Sequence, residues 1–213
     1  MELAETYASI HAAASILAAI GVHPHDAKTW TDSCRDQFIE SAKNPHVLAI
    51  GEIGLDYYYD HSPRDIQKEV FREQLRLAKE VNLPVIIHDR DAHEDVMEIL
   101  EQEDAQHVLL HCFSGDIEMA DWALNRGYFL AFGGSVTFKK SSSAIVAASV
   151  PMSHLVLETD CPYLTPTPHR GKRNEPAYVT LVAQKIAEIK SLPLDEVARI
   201  TTENASRFYR RSQ

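Results

Sequence analysis

Pro84-Val85-Ile86-Ile87-His88-Asp89-Arg90 reads as a strand buried on both faces and ended by polar groups. Three β-branched apolar side chains sit on consecutive positions, where a strand with one wet face would alternate apolar and polar. Similar short runs occur over Ile16–Val22, Val47–Ile53, His107–Leu110, Tyr128–Phe132 and His154–Leu157. Longer amphipathic stretches lie between them. Ser62-Pro63-Arg64-Asp65 is a capping signal with proline at the first helical position, and it opens a helix with Ile66, Val70, Leu77 and Val81 among its apolar positions that closes near Asn82. Further helices are expected over His93–Glu101, Asp116–Arg126, Ser142–Ser149, Pro176–Ile189 and Asp195–Tyr209. Strand alternating with helix is the pattern of an α/β chain with a parallel sheet.

A closed (β/α) barrel needs eight strands and about 250 residues, and six strand runs are present. The structural alternative is an open doubly wound sheet. It predicts a Gly-rich phosphate loop after an early strand, but no G-x-G-x-x-G exists and Gly133-Gly134 follows a late strand.

The chain has 213 residues, 45% of them apolar, which is enough for a real core and too short for two ordinary α/β domains. A single domain over 1–213 is expected. Acidic residues outnumber basic ones 31 to 21, for a net charge of -10. A protein that holds nucleic acid by charge alone is usually basic, so a phosphate-bearing substrate would require bound metal or local Arg and Lys. Cys34, Cys112 and Cys161 are too few and too scattered for a disulfide framework or a zinc ribbon. Glu2 and Glu5 stand where a signal peptide carries basic residues, and the mildly apolar Ala12–Val22 is too short to span a bilayer. A cytoplasmic protein without membrane association is expected.

Residues able to do chemistry gather at strand ends. Glu52 follows Ala49-Ile50-Gly51, His88 follows Val85-Ile86-Ile87, His111 follows Val108-Leu109-Leu110, and Asp160 follows Val156-Leu157-Glu158-Thr159. In a barrel such ends converge on one mouth, where active sites lie. Two imidazoles and two carboxylates suit Zn, Mn or Mg. A lone histidine at a strand end is more often a structural residue; four such groups on four strands favour a metal site.

The motifs carry a more specific resemblance. Gly21-Val22-His23-Pro24-His25, Gly51-Glu52-Ile53-Gly54-Leu55-Asp56-Tyr57, Pro84–Arg90, His111-Cys112-Phe113-Ser114-Gly115, Glu158-Thr159-Asp160-Cys161-Pro162-Tyr163 and Arg170-Gly171-Lys172-Arg173-Asn174-Glu175-Pro176 occur in this order. The chain from about Gly21 to Phe208 thereby resembles the TatD family of metal-dependent deoxyribonucleases. The resemblance implies a TIM-type (β/α) barrel holding two divalent metals at its C-terminal mouth. It implies that Glu52 bridges the metals, that His88 and His111 hold one, and that Asp160 holds the other and handles the attacking water. It implies DNA as substrate.

One departure from the family stands out. The family begins with a strand ending in Asp-x-His-x-His, whose histidines complete the Asp160 side, and Met1 falls where the family's second helix would lie. The expected fold is therefore an incomplete barrel without its first one or two strands. The corresponding expectation is one divalent metal at Glu52, His88 and His111, with weak or absent nuclease activity. His23-Pro24-His25 is itself a His-x-His, but the family carries this motif in addition to its first pair, so His23 is assigned to the substrate. Exposed sheet edges invite pairing. The gap would be answered by a homodimer, by a longer parent chain, or by a helix over Met1–Ala19 with Leu3, Tyr7, Ile10 and Ala14 on one face, running into the strand near residue 20.

Weaker signals surround these. Arg90 shares the parity of His88 and fits either a substrate phosphate or a salt bridge with Asp89 or Asp91. Arg170, Lys172 and Arg173 form a basic loop, either substrate-facing or solvated. Cys112 and Cys161 read as packing residues. Tyr57, Tyr58 and Tyr59 suit base stacking, although aromatic core packing is the commoner fate. Two other functions compete with a nuclease: a barrel amidohydrolase acting on a small molecule, and a non-catalytic metal-binding remnant. A carbamylated lysine at a strand end would favour the first, and no Lys ends a strand.

Overall fold

The computed structural model describes residues 16–209. They fall into two compact units, one formed by residues up to Val108 with Tyr209, the other by Leu109–Phe208. Of the helix and strand start expected over 1–20, Ala18–Ile20 is a strand; the part before Ile16, including Leu3, Tyr7, Ile10 and Ala14, lies outside the described residues.

The first unit contains β1 (Ala18–Ile20), a 3-10 turn (Pro24–Thr29), α1 (Asp32–Ser41), β2 (Val47–Asp56), α2 (Arg64–Val81), β3 (Val85–Arg90) and α3 (His93–Gln102). β1 pairs in parallel with β2, Ile20 beside Ile50, and β2 pairs in parallel with β3, Ile53 beside Ile87 and Gly54 beside His88. Val47, Ile50, Ile53, Leu55 and Ile87 are fully buried, as consecutive apolar positions require. β2 continues past Ile53 to Asp56 because Gly54 lets the strands approach. A Cβ there would lie 2.0 Å from the His88 carbonyl oxygen, and its φ of +140° lies in the region that favours glycine.

β1 is shorter than its apolar run because the backbone of Val22 turns to a side chain. The buried Gln74 of α2 accepts the Val22 N–H at 2.6 Å and donates Nε2 to the Val22 carbonyl at 3.0 Å. One turn pair earlier on the same face, Gln67 accepts the Asp56 N–H at 2.8 Å and donates to the Asp56 and Ser62 carbonyls. Two buried amides on one helix thus hold the chain after β1 and the end of β2. α2 ends at Asn82 in the left-handed conformation, as its sequence signal predicts. Pro63 is its cap residue rather than its first turn. α1 lacked a sequence signal of the amphipathic kind because none of its residues is buried; Thr31, accepting the Cys34 N–H, is the one cue it offers.

β4 (Val108–Leu110) begins at the last residue of the first unit. The second unit contains α4 (Ile117–Asn125), β5 (Phe129–Phe132), α5 (Ser143–Ser149), β6 (Leu155–Leu157), α6 (Val179–Lys190) and α7 (Leu194–Phe208). β4 pairs in parallel with β5, and β5 with β6. Asp116 caps α4 by accepting the Met119 N–H. Residues 176–178 are a 3-10 turn that leads into α6, so the helix expected from Pro176 starts three residues later. The buried Asn204 of α7 donates to the Met152 and Leu155 carbonyls, tying the helix to the start of β6.

Gln74→Ala strips two buried backbone groups of their partners. The expected loss is about 2–6 kcal/mol of unfolding free energy, at about 1–3 for each orphaned group. Urea denaturation checks it, and an unchanged midpoint would remove the amide clasp from the account.

Candidate metal centre

In the first unit, β2 and β3 bring Glu52 and His88 together, with His88 Nδ1 3.8 Å from Glu52 Oε2. Both are half-buried. The other ring nitrogen, His88 Nε2, donates to Asp56 Oδ2 at 3.0 Å, and His25 Nε2 donates to the same oxygen at 2.9 Å. Asp56 Oδ1 accepts the backbone N–H groups of Tyr58 (3.1 Å) and Tyr59 (2.8 Å). Asp56 is fully buried. Burial alone would raise its pKa; the Tyr59 amide and the two imidazoles outweigh it and hold the carboxyl below its ordinary value. It is an ionised acceptor, so His88 Nε2 carries a proton, and Nδ1 is the nitrogen turned toward Glu52.

His23 is the third member of this cluster. One ligand atom from each of His23, Glu52 and His88 lies within 4.8 Å of the others, a spacing that could hold a metal ion. Its chemistry differs from that of His88. His23 Nδ1 accepts the His25 N–H at 3.2 Å. Burial, and then the neighbouring His88 and His25, lower its pKa to about 4. Near neutral pH the ring is uncharged with its proton on Nε2, which makes that nitrogen a donor.

The second unit uses the same device with the nitrogens exchanged. His111, one residue beyond β4, donates Nδ1 to Glu158 Oε2 at 2.6 Å. Its Nε2 then faces Asp160 Oδ1 at 3.6 Å. Glu158 Oε1 is buried with no hydrogen-bond partner among the described residues. The loop that carries Asp160 is held by the buried Asn174, whose Nδ2 donates to the Thr159 and Tyr163 carbonyls.

The donor chemistry fits a divalent cation. Two ligands each ~2.1 Å from one ion lie roughly 3–4 Å apart. The separations of His88 from Glu52 and of His111 from Asp160, 3.8 and 3.6 Å, are too long for a good hydrogen bond and fall in that range. A metal-ligating histidine typically gives its second N–H to a carboxylate, as both do here.

Asp56 and Glu158 escaped the reading of the sequence, although both lie in quoted motifs. The signal was parity: Asp56 is four positions beyond Glu52 on one strand, and Glu158 is two before Asp160. Arg90 forms no ion pair among the described residues; its guanidinium carbon lies 4.4 Å from the Tyr58 ring centroid. Arg170 stacks on Phe138 and donates to the Thr165 carbonyl, while Lys172 and Arg173 are exposed. All three cysteines are free thiols. No helix among the described residues is long and apolar enough to cross a membrane.

The comparisons with known proteins agree with this chemistry. The family described as TatD related DNase matches residues 1–210. The uncharacterized metal-dependent hydrolase YabD of Bacillus subtilis is 51% identical over 99% of this chain and 81% of its own length. A protein of Escherichia fergusonii named 3'-5' ssDNA/RNA exonuclease TatD is 36% identical over 89% of this chain and 76% of its own. Among solved structures, the TatD homologue YJJV of Escherichia coli matches 98% of this chain and 82% of its own, with a TM-score of 0.89 and 30% identity. The expected α/β fold of TIM-barrel type is the fold of these neighbours.

Asp56→Asn cannot accept from both imidazoles and both amides as a carboxylate does. Metal affinity should fall about 10- to 100-fold, the usual effect of losing such a carboxylate, with helical content retained. Calorimetric titration with Mn²⁺ or Zn²⁺ measures it; wild-type affinity in the variant would contradict the assignment.

Proposed function

The chain belongs to the TatD family of metal-dependent hydrolases, and from this premise we propose that it hydrolyses phosphodiester bonds of DNA in an exonuclease-like manner. One observation carries the reading most: each of two carboxylate-held imidazoles sets its other nitrogen 3.8 or 3.6 Å from a second carboxylate. The Escherichia fergusonii relative's name supports nucleic acid as the substrate class.

In this reading Glu52 with His88, and His111 with Asp160, are the metal ligands, and Mg, Mn or Zn is the ion. A bound divalent cation supplies charge neutralisation to the phosphodiester and a source of hydroxide near neutral pH. Asp160 orients the attacking water and takes its proton. His23 donates its Nε2 proton to a non-bridging phosphate oxygen, which a neutral, half-buried ring can do without charge. Arg90 lends a guanidinium to the substrate backbone. Local positive groups and the cation together answer the repulsion between an anionic strand and a protein of net charge -10.

End-labelled single-stranded DNA with Mg²⁺ or Mn²⁺ tests the proposal. Progressive shortening that chelator abolishes is expected; cleavage of a small amide with DNA left intact would move the chain to the amidohydrolases. His23→Ala should lower kcat/KM about 10²- to 10³-fold, as loss of one donor to a developing charge does, while metal content by mass spectrometry stays at the wild-type level. Loss of a bound metal in that variant would instead make His23 a ligand.

A further inference from the structure

Tyr58 and Tyr59 follow the buried Asp56 and are anchored to it by their own amides, yet their rings face solvent at 58% and 50% exposure. Core packing therefore does not account for them. They meet edge to face with centroids 4.8 Å apart. The Arg90 guanidinium backs the pair, 4.4 Å from the Tyr58 centroid and 5.3 Å from that of Tyr59. His61 stacks on Tyr59 at 5.5 Å with an interplanar angle of 23°. Exposed rings and a cation are thus assembled at the surface on a rigid backbone anchor.

The patch is continuous with the donor cluster. Tyr59 packs edge-on against His25 at 5.3 Å, and His25 shares Asp56 Oδ2 with His88. One carboxylate thereby fixes both the imidazole beside Glu52 and the backbone that presents the tyrosines.

The geometry points to a stacking subsite in which Tyr58, flanked by Tyr59 and Arg90, takes the face of an unpaired nucleobase next to the phosphodiester under attack. This rests on the nuclease reading and specifies how the strand is gripped. Every base offers a π face, so such a platform binds without regard to sequence. A base inside a duplex has both faces covered by its neighbours, so the subsite selects unpaired ends. The guanidinium adds cation–π attraction to the ring it backs. A protein partner is a poorer match, because a stable interface needs about 800 Å² on each side, far more than two tyrosine rings offer.

A thermodynamic cycle between ring and base tests this. Short single strands with phosphorothioate linkages that resist cleavage, intact or with one abasic site stepped along the strand, are titrated by fluorescence anisotropy with Mg²⁺ present. For the wild type, one abasic position should weaken binding about 5- to 150-fold, the range for a single base–aromatic stack. Tyr58→Ala should weaken the intact strand by a similar factor and become indifferent to the abasic site at that position. Tyr58→Phe should restore both. An additive cycle, in which the abasic penalty survives Tyr58→Ala, overturns the subsite. Wild-type protein that degrades DNA but shows no abasic penalty at any position overturns the subsite and leaves the nuclease reading standing. Wild-type protein that neither binds nor degrades any strand overturns both.

Discussion

A carboxylate with no access to water needs donors on every side, and Asp56 imposes that demand at the end of β2. Two imidazole N–H groups and two backbone N–H groups meet it. Each of these bonds has a second effect. The pair to His25 and His88 fixes a proton on Nε2 of each ring. The pair to Tyr58 and Tyr59 turns the chain so that both rings face outward. The backbone of Asp56 is itself clasped by Gln67, and Gln74 of the same helix clasps Val22, next to His23. The arrangement of donors in the first unit follows from satisfying one buried charge.

Glu158 repeats the principle in the second unit with one imidazole, His111. The carboxylate-held proton sits on Nδ1 of His111 and on Nε2 of His88, so opposite edges of the two rings face the second carboxylate. The ring of His23, whose pKa burial lowers to about 4, is of another kind: a neutral imidazole with its proton on Nε2. Distance alone groups His23 with Glu52 and His88. The hydrogen bonds separate their roles.

Much of the fold was legible because consecutive β-branched residues have few alternatives to a buried strand. Pro84–Ile87 and Tyr128–Phe132 lead to strands within a residue or two at their starts, and Asp116 and Asn82 mark helix ends by local chemistry that needs no tertiary contact. What escaped depends on distant partners. The shortening of β1 is due to Gln74, 52 residues from Val22. The extension of β2 needs the room that Gly54 leaves for the His88 carbonyl. α1 buries nothing and so shows no apolar stripe. Glu52 and His88 in the first unit, and His111 and Asp160 in the second, announce themselves as polar groups closing apolar runs. Asp56 and Glu158 do not, since a carboxylate that orients a histidine looks in sequence like any other acidic residue near a strand end.

Asp56 and Glu158 hold the His88 and His111 rings through one proton each, and nitrogen-15 NMR of the histidine rings locates both directly in metal-free protein near neutral pH, with His88→Gln and His111→Gln variants for assignment. The predicted result is a proton on Nε2 of His88 and on Nδ1 of His111. An unprotonated Nε2 of His88 or an unprotonated Nδ1 of His111 would contradict it.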